Sequence, residues 1–335
     1  MIKIDKHIEI VRSTMNNLSS MSDKSCQSIL EVLEENFTQV GVSIINNLSD
    51  LDNLVELRPD LVFLGMEFIP HNPKLGINDP KKIWLAEYLD NNEIENTGSS
   101  RRAHELSRDK SLAKQRVLDA GLNTSQFYVI NKSAQIDEHQ HKLEFPVFIK
   151  PSNRGGGVGI DSNSLVNNIF DLEKKVTSIR MELNSDSIIE NYLPGREFSV
   201  SILKNNDTDD FLVMPIELIA PSDNNGARIL GGDTKSQNTE QAIEVTDVIL
   251  KSRVSALALS VFKSLGARDY GRIDIRLDAN GTPHFLEANL IPSLIENYGS
   301  FPKSCLLISG INYKSMIMQI VNIALNRTRK IGLSI

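Results

Sequence analysis

Apolar positions along the chain fall into short runs that read as strands and longer periodic stretches that read as helices. Short runs occupy 7–11 (HIEIV), 42–45, 61–64, 147–150 and 211–219. The helical period covers about 22–35, with Ile29, Leu30, Leu33 and Phe37 on one side and Ser22 or Ser25 as its cap. Further helices are predicted over 82–89, 105–120, 245–265 and 310–329. The second of these closes on Gly121. The last two carry apolar faces through Val248, Val254, Leu257, Ala258 and Val261, and through Met316, Ile320, Ile323 and Ala324. Residues 13–21 form a polar loop, and 70–80 a Pro/Gly/Asn loop holding His71, which reads as solvated. Residues 220–244 are a long polar stretch of the kind that forms lids. Residues 187–200 read as strand, turn, strand about Pro194-Gly195, bracketed by Glu190 and Glu197. That segment suits a hinge with an adenine slot or an ordinary charged hairpin.

Composition narrows the class. The chain has 335 residues, 40% hydrophobic and 24% charged, which suits an ordinary globular protein of two or three domains. No run of ~18 apolar residues is present, so no membrane span is expected. A net charge of −7 gives no electrostatic case for nucleic acid. The N-terminus lacks the apolar segment of a signal peptide. Cys26 and Cys305 stand apart, as reduced structural thiols of a cytoplasmic protein would.

Three segments carry candidate chemistry. Residues 270–294 (YGRIDIRLDANGTPHFLEANLIPSL) read as a hairpin turning at 278–281. That turn pairs Leu277 with Thr282, Asp274 with Phe285 and Arg272 with Glu287. It places Arg272, Asp274, Arg276, Phe285, Glu287 and Asn289 on one face. Two carboxylates and an amide oxygen suit a hard cation, and an arginine beside them suits phosphate or an oxyanion. By spacing alone a surface hairpin with solvated charges fits as well, and a one-residue slip would break the pattern. Residues 145–160 (FPVFIKPSNRGGGVGI) run a strand ending in Lys150 into glycines at 155, 156, 157 and 159. Such backbone can approach a phosphate closely, as can a flexible hairpin tip. Lys110 and Lys114, four apart, share a helix face that reads by itself as solvated and basic.

In order, TGSS with RDKSLAKQRVLDAGL, the glycine segment, IENYLPGREFSVSIL and the hairpin resemble the ATP-grasp superfamily, and within it the D-alanine–D-alanine ligase family, from about Thr97 onward. The resemblance implies an α/β ATP-grasp fold. An N-terminal α/β domain (1–97) would precede central (98–188) and C-terminal (189–335) α+β domains, with nucleotide between the last two. It implies ATP and two Mg²⁺ ions, or Mn²⁺, and small-molecule carboxylate and amine substrates; it is compatible with a homodimer. Lys110 and Lys150 would hold phosphates, and Gly155 to Gly159 would cover them. Glu190 and the backbone near Leu193 would take adenine, and Glu197 ribose. Asp274, Glu287 and Asn289 would bind metal. Arg272, Lys235, Gly156 and Gly157 would stand at the reacting groups.

Four departures touch the substrate side. The first-domain loop, 13–22, has no acid where the family holds an ammonium group, leaving Glu67 and Glu296 as nearby acids to propose. Gly156 and Gly157 stand where the family has serines. The Tyr-rich lid is replaced by NGARILGGDTKSQN, which keeps Lys235. Pro-Gly-Met after the metal Asn becomes Pro292-Ser293-Leu294. These changes lead to a carboxylate–amine ligase acting on a different substrate pair. The competing readings are a true D-alanine–D-alanine ligase and a nucleotide-binding protein without catalysis.

Overall fold

The computed structural model describes residues 2–15, 18–134, 143–206, 208, 210–221, 228–231 and 239–332, with 328–332 as backbone only. β1 (Ile4–Arg12), β2 (Phe37–Ile44) and β3 (Leu61–Leu64) form a parallel sheet in the order β2-β1-β3. Parallel pairing needs crossovers, supplied by α1 (Asp23–Asn36) and α2 (Leu48–Glu56). Ser22 caps α1 by accepting from the Ser25 amide, and Asn47 with Asp50 builds a capping box on α2. Phe37 does not extend α1, as its spacing had suggested. It opens β2 at φ −119° and ψ 154°, because the sequence that follows, TQVGVSI, is rich in β-branched residues.

The expected helix over 82–89 is half strand. β4 (Phe68–Pro70) pairs antiparallel with β5 (Lys82–Trp84), and only then does α3 (Leu85–Asn91) begin. Trp84 packs on Phe68 with ring centroids 5.4 Å apart, which favours the strand. The expected helix over 105–120 is two helices, α4 (Arg101–Arg108) and α5 (Lys110–Asp119). Asp109 breaks them by accepting from the Ser111 and Leu112 amides as a new N-cap. Gly121 follows α5 with φ 70°, as expected.

β6 (Phe127–Ile130), β7 (Val147–Pro151), β8 (Leu165–Val166) and β9 (Ser187–Asn191) form an antiparallel sheet ordered β6-β9-β7-β8. α6 (Ile169–Leu183) covers it, and Val147, Ile149, Leu172, Val176, Ile179 and Ile189 form a separate core. A second antiparallel sheet holds β10 (Glu197–Lys204), β11 (Phe211–Ile219), β12 (Gln241–Glu244), β13 (Tyr270–Leu277) and β14 (Pro283–Asn289), ordered β12-β11-β10-β13-β14. β9 and β10 therefore do not form a hairpin: each belongs to a different sheet. Of the 220–244 stretch, residues 222–227 and 232–238, including Lys235, lie outside the described residues.

α7 (Val248–Ser264) packs Val254, Ala258 and Phe262 against Phe198, Val200, Ile273 and Ile275 of this larger sheet, joined by Ala113 and Val117 of α5. α8 (Ser300–Ser309) and α9 (Tyr313–Gly332) lie in another cluster. There Phe301, Met316 and Ile320 meet Leu203, Met214 and Tyr270 of the larger sheet and Ile8, Ile10 and Ile29 of the N-terminal unit. The first and last parts of the chain thus share one core. Among the described residues no helix is long and apolar enough to cross a membrane.

Candidate active site

The β13–β14 pairing puts Arg272 opposite Asn289 and Asp274 opposite Glu287, and after an irregularity Ile275 opposite Phe285 and Leu277 opposite Pro283. This differs from the expected register. The turn runs over 278–282, with Asp278 accepting from the Asn280 and Thr282 amides at 2.9 and 2.7 Å. Leu286 is the extra residue of a bulge. The slip is even at the open end, so Arg272, Asp274, Glu287 and Asn289 still share a face. Past the bulge it is odd, so Phe285 turns away and is buried among the residues beneath α7. β10 adds to the polar face, with Glu197 opposite Arg276 and Ser199 opposite Asp274.

On that face charges are paired. Arg272 grips Asp274 through Nε and Nη2 at 2.9 and 2.8 Å, and Ser199 Oγ donates to the same carboxylate at 3.1 Å. Arg272 Nη1 reaches Ser300 Oγ at 3.3 Å. Arg276 Nη1 donates to Glu197 at 3.0 Å. Lys110 Nζ lies 3.5 Å from Glu287 and donates to the Arg154 carbonyl. Asp274, Glu287 and Asn289 supply oxygen donors only, a set that fits Mg²⁺ or Mn²⁺ and not a soft metal. The described residues contain no group of three or more His, Cys, Asp or Glu that could hold a metal; this set has two carboxylates and an amide.

Across the face lies the smaller sheet. Lys150, Glu190, Leu193, Glu197, Asp274 and Glu287 line one cavity of about 600 Å³, with Phe148, Tyr192 and Leu230 supplying apolar walls. That mix of flat apolar walls and convergent charge suits a nucleotide. The glycine loop follows Lys150 and lines a neighbouring cavity through Gly155, Gly156 and Val158. Gly156 and Gly157 have φ 65° and 80°, which L side chains rarely adopt, and Gly159 has φ 76°. A Cβ on Gly155 or Gly156 would meet nothing within 4 Å, so open space remains beside the loop.

At the back of the cavity Glu190 accepts three partners. Lys150 Nζ lies 2.7 Å from Oε1, Lys114 Nζ 2.9 Å from Oε2, and Ser125 Oγ donates at 2.9 Å. Lys114 also donates to Thr124 Oγ1 at 2.7 Å and the Phe285 carbonyl at 3.2 Å. Burial alone would raise the Glu190 pKa, but the two ammonium groups win and bring it to about 2. Burial lowers Lys114 to about 8 against the pull of Glu190. Lys150 is raised, because Glu190 and Glu287 outweigh its burial. Lys110 and Lys114 therefore do not form a solvated basic face; Lys114 is 0% exposed. The sequence marked Lys114 only by its spacing from Lys110, since its partner Glu190 lies far along the chain. Glu190 lines the cavity, but its carboxylate is held by the lysines, and its backbone pairs with β6 and β7.

A second cavity, about 1480 Å³, adjoins the first. Ser19, Glu67, Arg108, Arg154, Gly156, Arg272, Asn289 and Ser300 are among its lining. Glu67 is thus at the site, but Glu296 is not. Glu296 lines a separate cavity with Glu31, Glu35 and Lys314. Burial opposes ionisation of Glu67, yet His104 and Arg108 hold its pKa below the usual carboxylate range. Arg108, Arg154, Ser199 and Ser300 escaped the sequence reading, which had no pattern to single them out.

Residues 117–322 match the family model described as D-ala D-ala ligase C-terminus. The chain belongs to that family. It is 28% identical over 235 residues to the uncharacterized protein y4sG of Sinorhizobium fredii, an alignment covering 69% of this chain and 66% of that one. A D-alanine–D-alanine ligase of Hydrogenovibrio crunogenus is 25% identical over 318 residues, 93% of each chain. The ATP-complexed D-alanine–D-alanine ligase of Bacillus anthracis superposes with a TM-score of 0.73 at 21% identity, covering 98% of this chain and 99% of that one. This family member has the ATP-grasp fold and is a ligase that forms a C–N bond. Ligases of this kind use ATP and a divalent metal.

Proposed function

We propose that this ligase joins two amino acids, or similar small molecules, through an acyl phosphate, releasing ADP and phosphate. The observation that carries the reading is the paired row Arg272/Asn289 and Asp274/Glu287 where two cavities meet: Lys150, Asp274 and Glu287 line one, and Gly155, Gly156, Arg272, Asp274 and Asn289 line the other. We place the units at 1–97, 98–188 and 189–335, in a cytoplasmic enzyme that could assemble as a homodimer. Bound MgATP supplies the phosphoryl group and the charge that activates it. Asp274, Glu287 and Asn289 would hold the two metal ions, and Lys110 and Lys150 the phosphates. Gly155 to Gly159 would cover the phosphates by backbone amides. Tyr192 and Leu193 would flank the adenine, and Glu197 would accept from the ribose. Arg272 would meet the oxyanion formed when the amine attacks. Lys235, in the stretch after Gly231, would add charge at the transferred phosphoryl group.

The names of the relatives favour D-alanine as both substrates. A second reading, a different first acid, is favoured by one specific observation. Residues 13–22 offer no carboxylate, and the N-terminal acid that lines the cavity, Glu67, already accepts from Arg108 at 3.1 Å. A free ammonium there would meet a carboxylate already neutralised. ADP release with D-alanine alone, set against panels of D-, L-, β- and N-acylated amino acids, separates the readings. Efficient turnover with D-alanine alone establishes the first. ADP release only with another acid establishes the second, and no release with any acid would overturn the ligase proposal.

A further inference from the structure

We propose that Arg108 and Arg154 form an anion-binding subsite in the larger cavity, and that the first substrate is a small dicarboxylic acid. Its second carboxylate would dock there while the first is activated. The inference rests on the ligase reading and names the substrate class for it.

Arg154 is the primary observation. It is 7% exposed and lines the cavity immediately before Gly155. Its guanidinium donates only to neutral oxygens, Asn153 Oδ1 and Asn78 Oδ1 at 2.5 Å each, the Asn153 carbonyl at 3.4 Å and the Leu183 carbonyl. Among the described residues it forms no ion pair. A buried cation without an anion is costly, so an anionic ligand that reached it would be favoured. Burial depresses its pKa, and the charged neighbour that adds to this is Arg108.

Arg108 faces the same cavity. Its guanidinium lies 4.5 Å from the Phe68 ring centroid, and Lys82 Nζ lies 5.1 Å from the same ring. Burial lowers the Lys82 pKa most, and Arg108 and, more weakly, Arg154 add to that shift against the pull of Asp79. Against these cations Glu67 is the one acid in contact with either arginine among the described residues. Of the other carboxylates lining the cavity, Asp274 is paired with Arg272 and Glu197 with Arg276, while Glu240 keeps a buried Oε2 without a hydrogen-bond partner among the described residues. This wall of the cavity is therefore positive. The guanidinium fork suits a planar carboxylate better than a neutral amide.

The same anion could come from the terminal phosphate of the nucleotide, since Arg154 adjoins the glycine loop. Calorimetric titration of the full chain holding MgADP separates the sources. Both enantiomers of glutamate and aspartate are compared with glutamine and asparagine, which match them in shape and lack the charge. An acid is expected to bind roughly tenfold to a hundredfold more tightly than its amide. Arg154→Met and Arg108→Met should each erase that gap, Arg154→Lys should restore part of it, and MgADP should bind all variants alike. Equal binding of acid and amide to the native chain, or a gap that survives Arg154→Met, would overturn the subsite. So would a loss in Arg154→Met confined to ATP over ADP, which would assign the arginine to the nucleotide. Failure of the ligase reading looks different: the gap persists, but no acid and amine pair releases ADP.

Discussion

Replacing Glu190 by Gln tests the charge arrangement behind the nucleotide cavity most directly. Gln keeps the shape and removes the charge that separates two buried ammonium groups. Lys150 and Lys114 lie 2.7 and 2.9 Å from opposite oxygens of that carboxylate. At an effective dielectric of about 20, each contact carries roughly 6 kcal/mol of Coulomb attraction before desolvation is charged against it. Breaking a buried pair from one side typically costs about 3–5 kcal/mol, because the other charge stays behind. Two stay behind here, so a loss of about 4 kcal/mol or more is expected. Urea unfolding followed by circular dichroism reads it as a fall in midpoint at constant slope. The pH dependence gives a second readout. The Glu190 pKa falls from 4.5 to about 2 on folding, so its contribution is complete above about 4.5 and fades toward about 2. The gap between native and variant should narrow through that window. On the alkaline side, Lys114 loses the partner that held its pKa as high as about 8, sheds its proton earlier, and the gap narrows again. A loss below about 1 kcal/mol at neutral pH would refute the buried triad.

Asp274→Asn and Glu287→Gln should each cut ADP release by roughly a hundredfold or more, and near-native turnover in either would remove the metal assignment; Asp274→Asn should also lower the unfolding midpoint, because it strips Arg272 of its buried carboxylate. Lys150→Ala should weaken ATP roughly tenfold but adenosine little, by calorimetry, and equal losses would leave it a structural role. Gly159→Ala should destabilise the chain by more than ~1 kcal/mol in urea, since its φ is 76° and a Cβ would lie 2.6 Å from Pro151 Cγ and 2.7 Å from Leu183 Cδ1. An unchanged midpoint there would contradict the loop geometry.

What the sequence made legible was mostly local. β11 spans 211–219 as its apolar run predicts, and Ser22 caps α1. Errors arose where a distant partner decides. Residues 82–84 become a strand because Phe68–Pro70 lies alongside, and strand pairing overrides a weak helical period. The turn of the β13–β14 hairpin is one residue longer than its Asp-Ala-Asn-Gly core suggests, and a bulge at Leu286 restores the polar row. That bulge has no marker in an otherwise regular strand. Some signals were present and went unread: Asn47 and Asp50 form a capping box, and Asp109 is a cap between two helices. Lys114 shows the limit most clearly. Whether a lysine is solvated or fully buried depends on Glu190, Thr124 and Ser125 converging on it, and no spacing within α5 records that.

The distribution of cores has a mechanical consequence. The parallel sheet, α8, α9 and one side of the larger sheet are welded by common side chains, whereas the smaller sheet and α6 have their own. Arg327 on α9 reinforces the weld by pairing with Asp269 at 3.0 Å and donating to the Asn96 carbonyl. The molecule is therefore one anvil and one jaw, and the nucleotide cavity lies where they meet. The chain crosses between them twice, at residues 120–126 between α5 and β6 and at residues 192–196 between β9 and β10. The Lys114–Glu190 contact joins a helix of the anvil to a strand of the jaw at the closed end of the mouth. It closes that end with paired charge, while Ser152 to Asp109 and Arg154 to Asn78 hold the loop side.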